Sequence, residues 1–554
     1  MNMHSAVKAT RSFGGRHLPW ISIALVAGFL RLWRLDVFPP LTGDEDIYLH
    51  LANGFFSGRH EMFAIPYSYM PHPPLFFLIG NLFTLIFGSS ILVLRTLTAL
   101  CGIVSCLLIY RAGQITGGRA MGWVAGIALA VMPHAVYFNR LAFGYSLLEL
   151  FMSLLVVEML EFVRSVQAGR DRRAVLLAIA AGIVAGAASL VEMGGVALVN
   201  AAILLFILFY RRHVFLVGLG AIGIPVIGFG WAFLRSPHWF ILDLRANSGR
   251  VDQYVLLILV GLFALILSIR PVRRSLLHLW HFTLSFMPWF WLFFGFVLIF
   301  QSLSRDLIEN TASIYWLGWW GLLILVDASW RKYFLFPALG FLGYQILVDR
   351  AAGMLVPLFP LLSLGVAALT RDSFRTGQEK WGRKSTWMRP LFALSAGMVI
   401  VISFGQTIDM VSTIRGVTTL DTYSQISAYI TTHTRPGDLV IASPLMEGMA
   451  DRKMTTLTQF MSYGVDFAQH YSTGEEYRTD RYFYPVTSET IALVLIDDTM
   501  LQGIRGGDDV PEMFKTGPSS KLREMVVLRE KKDPVLSWPT VRIGTFNIFQ
   551  NPDL

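Results

Sequence analysis

Charge is what this chain has least of. Of 554 residues, 15% are Asp, Glu, Lys or Arg, against roughly 25% in soluble domains. Apolar residues make up 54% and aromatics 13%, so a soluble globular protein is excluded and a polytopic membrane protein is indicated. Cysteine is nearly absent. The two present, Cys101 and Cys106, share one apolar segment, which excludes a disulfide framework and reads as small buried residues rather than metal ligands. There is no Walker-type loop and no strand-preceded dinucleotide fingerprint, which argues against an enzyme built on a soluble nucleotide-binding domain. Solenoid-type repeats and long low-complexity tracts are missing too. His50, His60 and His72 match no compact ligand pattern, so no metal site is assigned. The formal net charge is +9, but the basic residues fall mostly in short loops between apolar segments. Loop orientation explains them, and no nucleic-acid partner is called for.

A membrane-spanning helix needs about 20 mostly apolar residues, and that rule gives about thirteen spans. They lie near 18–35, 91–111, 118–137, 142–163, 174–192, 194–210, 214–234, 254–270, 281–300, 315–330, 333–348, 354–370 and 390–410. The basic N-terminus and first apolar run look like a signal peptide, but no small-residue cleavage site follows, so a retained first helix is expected. Segment 73–88 is apolar but short. If it spanned, the basic loops at Arg111/Arg119, 164–173, Arg211/Arg212, Arg270/Arg273/Arg274, Arg331/Lys332 and 371–389 would all face outward. It is therefore assigned as a juxtamembrane helix lying along the outer surface. A transmembrane domain over 1–413, with an outer loop at 36–90, then precedes a soluble extracytoplasmic α/β domain over 414–554. In that domain 421–434 reads as an amphipathic helix stopped by Arg-Pro-Gly, and 438–442, 491–496 and 540–549 read as β-rich runs.

Between the first span and this juxtamembrane segment stand three consecutive carboxylates, Asp44, Glu45 and Asp46. Each would cost about 2.5–3.5 kcal/mol at a helix centre, so they must lie in water, at the interface or in a polar cavity. The same face collects Arg31, Arg34, Arg95, Arg140, Glu192 and Arg350 at the ends of spans, with Tyr48, His50, His60, Tyr67, Tyr69 and His72 in the loop. Singly, such arginines read as snorkelling side chains or partners of a nearby acid such as Asp36. Together they suit an anionic lipid headgroup, because guanidinium donates paired hydrogen bonds to phosphate.

The run FPPLTGDEDIY after a helix closing on Leu-Arg-Leu resembles the protein O-mannosyltransferase and aminoarabinose transferase group, GT-C-class glycosyltransferases that use polyprenyl-phosphate sugars. The similarity continues through His72-Pro73-Pro74-Leu75, Phe87-Gly88 with Arg95, Met132-Pro133 with Asn139-Arg140, Arg350 with Pro357 and Pro360, and 434–438. It departs at Tyr145, where the family often has an acid, and at Val191-Glu192-Met193, where it often has a lysine. The resemblance implies a GT-C-like fold, about thirteen transmembrane helices and an extracytoplasmic active site at the cell (plasma) membrane. It implies inverting single displacement from a polyprenyl-phosphate sugar donor to a protein, lipid or glycan acceptor, among membrane lipids. Asp44 would be the catalytic base, with Glu45 orienting it or binding the acceptor. Arg350, Arg140 and Arg95 would bind the donor phosphate, and Tyr48, His72 and Glu192 the acceptor or donor sugar. No cofactor is named by any motif; a divalent cation stays an open alternative.

A lipid or glycan transporter or flippase is the competing class, but it favours midplane charges and internal repeats, whereas here the charges gather at one face. A non-catalytic scaffold binding a partner through its outer domain would show no dependence on Asp44. Topology is directly testable. Cysteines placed at Ser385 and Ser443 should label from opposite sides of the membrane; labelling from one side would overturn the orientation.

Overall fold

The computed structural model describes residues 3–41, 43–56, 61–62, 65–66, 73–235, 352–368, 388–412, 420–442, 452–455, 491–498 and 538–554, plus isolated positions between 237 and 341 and at 450 and 501. Helix α1 (Met3–Leu32) gives way to turns at 33–37, ahead of the short α2 (Gly43–Asn53) that carries the acidic run. A two-residue hairpin, β1 (Glu61–Met62) and β2 (Ile65–Pro66), precedes α3 (Leu75–Phe87). Then come α4 (Ile91–Gly117), α5 (Arg119–Ala130), α6 (Pro133–Asn139), α7 (Tyr145–Gln167), α8 (Asp171–Ser189), α9 (Val196–Phe209) and α10 (Val214–Arg235). Further along, a 3-10 turn at Ala352–Leu358 runs into helix to residue 368, and α11 spans Met388–Ser412.

Local chemistry sets these limits. Ser90 caps α4 by accepting from the Val93 N–H at 3.2 Å, a standard N-cap. Gly118, at φ 85°, closes α4 and turns straight into α5. The span expected over 118–137 is not one straight helix: α5 and α6 meet at 61°. Pro133 has no N–H to return to the Leu129 carbonyl, so the helix breaks there. The span expected over 18–35 stops at Leu32, and that expected from 142 begins at Tyr145. The spans expected at 254–270 and 281–300 lie outside the described residues, as do most of 315–330 and 333–348. Among the described residues, Ile91–Gly117, Asp171–Ser189 and Arg211–Arg235 are long and apolar enough to cross a membrane, as is the bent α5–α6 pair taken as one span. Helix α7 packs between α4 and α8 and carries Glu149 and Glu158 among its apolar residues. Segment 73–88 forms α3, which lies against α2 and α4. It is tied by Asn81, whose amide donates to the Ala52 carbonyl at 2.7 Å.

At the C-terminal end, α12 (Leu420–His433) packs on a five-stranded sheet in the order β4-β3-β5-β7-β6. Strands β3 (Leu439–Ile441), β4 (Lys453–Thr455) and β5 (Ile491–Asp497) are parallel; β7 (Phe546–Gln550) runs antiparallel to β5 and to β6 (Thr540–Ile543). The β-rich run 540–549 forms a hairpin, because Gly544 at φ 60° reverses the chain. Tyr423, Ile426 and Ile430 line one face of α12 and bury against Val440, Leu493, Leu495, Phe546 and Ile548.

Helices α8 and α10 touch through glycine. A Cβ on Gly220 would come within 2.5 Å of the Ile183 nitrogen and 2.6 Å of the Gly182 carbonyl carbon, whereas one on Gly223 would meet nothing within 4 Å. Gly220→Ala should therefore lower the melting point of the solubilised protein, overpacking costing about 1–3 kcal/mol. Gly223→Ala should leave it unchanged or slightly raised.

Candidate active site

The segment linking α1 to α2 is held by arginines that turn inward. Arg95, near the start of α4, is fully buried and so is Glu45. Arg95 Nε donates to Glu45 Oε1 at 2.8 Å and Nη2 to Oε2 at 2.6 Å. Its remaining donors reach the carbonyls of Leu35 (3.1 Å), Pro39 (2.8 Å) and Pro40 (3.4 Å). Glu45 Oε1 also accepts the Ala142 N–H at 2.9 Å. One ion pair thereby fastens α2, α4, the connecting segment and the turn after α6. Charges removed from water are tolerated in such a setting when every lone pair is answered.

Arg140 caps α6 and is also buried. Its guanidinium donates to the carbonyls of Leu30 (2.8 Å), Trp33 (2.9 Å), Arg34 (2.9 Å) and Phe38 (2.9 and 3.1 Å). Several of these carbonyls end α1, where a cation is favoured by the helix dipole. Burial and the neighbouring Arg95 and Arg31 cations lower its affinity for a proton, to a pKa of about 10. Arg95 and Arg140 were expected to present their forks to a phosphate. In this geometry the forks are spent on Glu45 and on backbone oxygens.

Tyr48, one turn beyond Glu45, donates its hydroxyl to Glu192 Oε1 at 3.1 Å, with its ring among Phe76, Phe77 and Phe143. Glu192 lies in the turn after α8, next to Leu190, whose carbonyl accepts the Leu75 N–H at 2.7 Å. The Tyr48–Glu192 bond therefore joins α2 to the α3 and α8 ends. Asp44 occupies the first turn of α2, one residue before Glu45; its side chain lies outside the described residues, as do Arg350, His72, His60, Tyr67 and Tyr69. Among the described residues no group of three or more His, Cys, Asp or Glu is placed to hold a metal ion.

The C-terminal sheet meets this segment. Leu420 donates its N–H to the Asp36 carbonyl at 3.4 Å, and Leu41 packs against both the sheet core and the cluster of Leu49, Ala52, Ile91, Leu94 and Ala142. Burial pushes the Tyr423 hydroxyl up to about 12, with Asp497 and then Glu45 adding to the shift. Helix α12 packs against the α2 end of the bundle through Leu420. Arg31, Asn139 and Glu149 are buried residues of the same end that the sequence reading did not assign as site residues. The signal available was an amide and an acid inside apolar runs, groups that membrane depth makes costly unless paired.

The fold of this bundle is shared with solved membrane glycosyltransferases of the GT-C kind. ArnT from Cupriavidus metallidurans, solved bound to undecaprenyl phosphate, matches with a TM-score of 0.58 at 15% identity, over 97% of this chain and 98% of that one. The Archaeoglobus fulgidus oligosaccharyltransferase tethered to an acceptor peptide matches at 0.55 and 15% identity, over 88% and 70%. The same organism's AglB, with an inhibitory peptide and a dolichol-phosphate, matches at 0.52 and 15%, over 97% and 74%. Residues 71–229 match the model of the dolichyl-phosphate-mannose-protein mannosyltransferase family, so the resemblance read in the sequence is found again there. No curated protein matches the chain.

The Glu45–Arg95 pair makes a sharp energetic prediction. Glu45→Ala or Arg95→Ala alone should cost about 3–5 kcal/mol by leaving one buried charge uncompensated. The double variant should cost much less than their sum, measured by denaturation. Additive losses would show that the pair carries no coupling.

Proposed function

We propose that this chain transfers a sugar from a polyprenyl-phosphate-linked donor to a hydroxyl-bearing acceptor, by inverting single displacement at the extracytoplasmic face of the plasma membrane. The observation that carries the reading is the Glu45–Arg95 pair. It fixes the first turn of α2, and with it Asp44, at the end of the bundle where α1 stops. The full membrane domain on this reading has about thirteen spans, followed by an extracytoplasmic C-terminal domain over 414–554.

In the reaction the acceptor oxygen attacks the anomeric carbon, the bond from that carbon to the phosphate oxygen breaks, and polyprenyl phosphate departs. Asp44 takes the acceptor proton as general base. Arg350 answers the charge that grows on the leaving phosphate, as preorganised cations do in transfer reactions. Glu45, Arg95 and Arg140 act by positioning, since their hydrogen-bonding capacity is committed to the loop. Tyr48, Glu192 and His72 are assigned to the donor sugar or the acceptor. Protein, lipid and glycan acceptors all supply the required hydroxyl.

The test is incubation of the purified protein with a panel of polyprenyl-phosphate sugars, reading released polyprenyl phosphate. Asp44→Asn should keep donor binding and lose about 10²–10⁴-fold in single-turnover transfer. Transfer within a few-fold of the unmodified protein would place the base elsewhere. Release from no donor, together with lipid movement between leaflets, would favour a flippase.

A further inference from the structure

A second polar system lies beneath the loop, inside the bundle, and the chemistry above does not use it. Arg31, Asn139, Ser146 and Glu149 are each fully buried. Arg31 Nε donates to Asn139 Oδ1 at 2.8 Å, and the Asn139 amide nitrogen donates to Glu149 Oε2 and Ser146 Oγ, both at 3.0 Å. Arg31 also donates to the carbonyls of Ala130 (3.0 Å) and Leu129 (3.3 Å). The Leu129 oxygen is the one that Pro133 cannot serve, so Arg31 answers the break between α5 and α6. The relay passes over bare backbone. A Cβ on Gly102 of α4 would run into the Asn139 side chain and lie 2.7 Å from Arg31 Nε. Four elements therefore converge on it: the end of α1, the α5–α6 break, α4 and α7.

Stability alone does not explain Glu149. Its Oε1 makes no hydrogen bond, and buried polar groups left unanswered cost about 1–3 kcal/mol. Well-packed apolar residues commonly replace buried charge networks without loss. What the carboxylate does supply is an anchor for Asn139, whose Oδ1 in turn accepts from Arg31 Nε. Asn139 directly precedes Arg140, whose guanidinium holds the carbonyls of Leu30, Trp33, Arg34 and Phe38.

We infer that Glu149 is a positioning residue: through Asn139 it fixes Arg31 and Arg140, and through them the angle at which the 33–41 segment carries α2 and its acids. The inference rests on the transfer reading for its consequence in turnover, but not for the relay itself. Loosening Glu149 should free the first loop without unfolding the bundle.

The experiment compares the full-length protein with Glu149→Ala, Glu149→Gln, Gly102→Ala and, as a control on the same helix, Leu155→Ala. Leu155 is fully buried and outside the relay. Hydrogen exchange is read at the amides of Trp33, Val37 and Phe38, which donate to the Phe29 and Arg34 carbonyls. In Glu149→Ala and Gly102→Ala these amides should exchange about tenfold faster. Turnover should fall about tenfold or more, with the donor KM within about threefold. Glu149→Gln keeps the volume and an acceptor for Asn139, so it guards against misfolding and should show the same split at smaller size. Leu155→Ala should lower the melting point without changing either readout. The inference is overturned if Leu155→Ala, at equal loss of melting point, reproduces both changes, or if both Glu149 variants match the unmodified protein in exchange and turnover. If the unmodified protein itself released no polyprenyl phosphate, the transfer reading would fail, and the exchange rates would still decide the relay.

Discussion

Three guanidiniums buried at one end of the bundle hold the rest of this site in place. Arg31, Arg95 and Arg140 are the largest polar side chains fully enclosed among the described residues. Their donors go chiefly to backbone carbonyls, which chain breaks and helix ends leave unanswered. Arginine suits this task because it stays charged and offers five donors in one plane, so one side chain can satisfy several oxygens pointing from different directions. The consequence is mechanical. A loop of turns and prolines, with little regular structure of its own, is thereby tied to the helices it crosses.

Each arginine works at a different level. Arg140 caps the end of α1 and governs how the chain leaves that helix. Arg95 receives the following residues and pairs with Glu45, so that α2 begins in a fixed register against α4. Arg31 lies deeper and ties α1 to the bend in the α5–α6 span, where Thr407 of α11 also donates to the Val131 carbonyl at 2.8 Å. The bend is thus answered from two other helices. Glycine provides the space: Gly102 leaves room for the Arg31–Asn139 bond, and close α8–α10 packing needs Gly220.

The sheet at the C-terminal end is part of the same arrangement. Leu420 and Leu41 join it to the loop through a backbone hydrogen bond and a shared apolar cluster. Movement of the sheet would therefore be felt at the segment that leads into α2.

The sequence by itself determined that the chain enters a membrane, where most apolar segments lie, and that its acids and arginines collect beyond the first span. These follow from composition and from patterns local to 20 or so residues, which bilayer thickness reads directly. The motifs around 38–48 and 132–140 were likewise legible, because spacing within a few residues is a property of the chain. Tertiary structure alone decided which way the arginines face. Arg95 and Arg140 looked like phosphate ligands from their place at the ends of spans, yet the oxygens they bind come from residues about 50 to 110 positions away. No local pattern encodes such partners. The break before Pro133 was readable as a possibility from the proline, but the residue that repairs it, Arg31, is brought there only by the packing of α1 against α5. Glu149 was one acid in an apolar helix until folding set the Asn139 amide against it, ten residues back in the chain but on another helix.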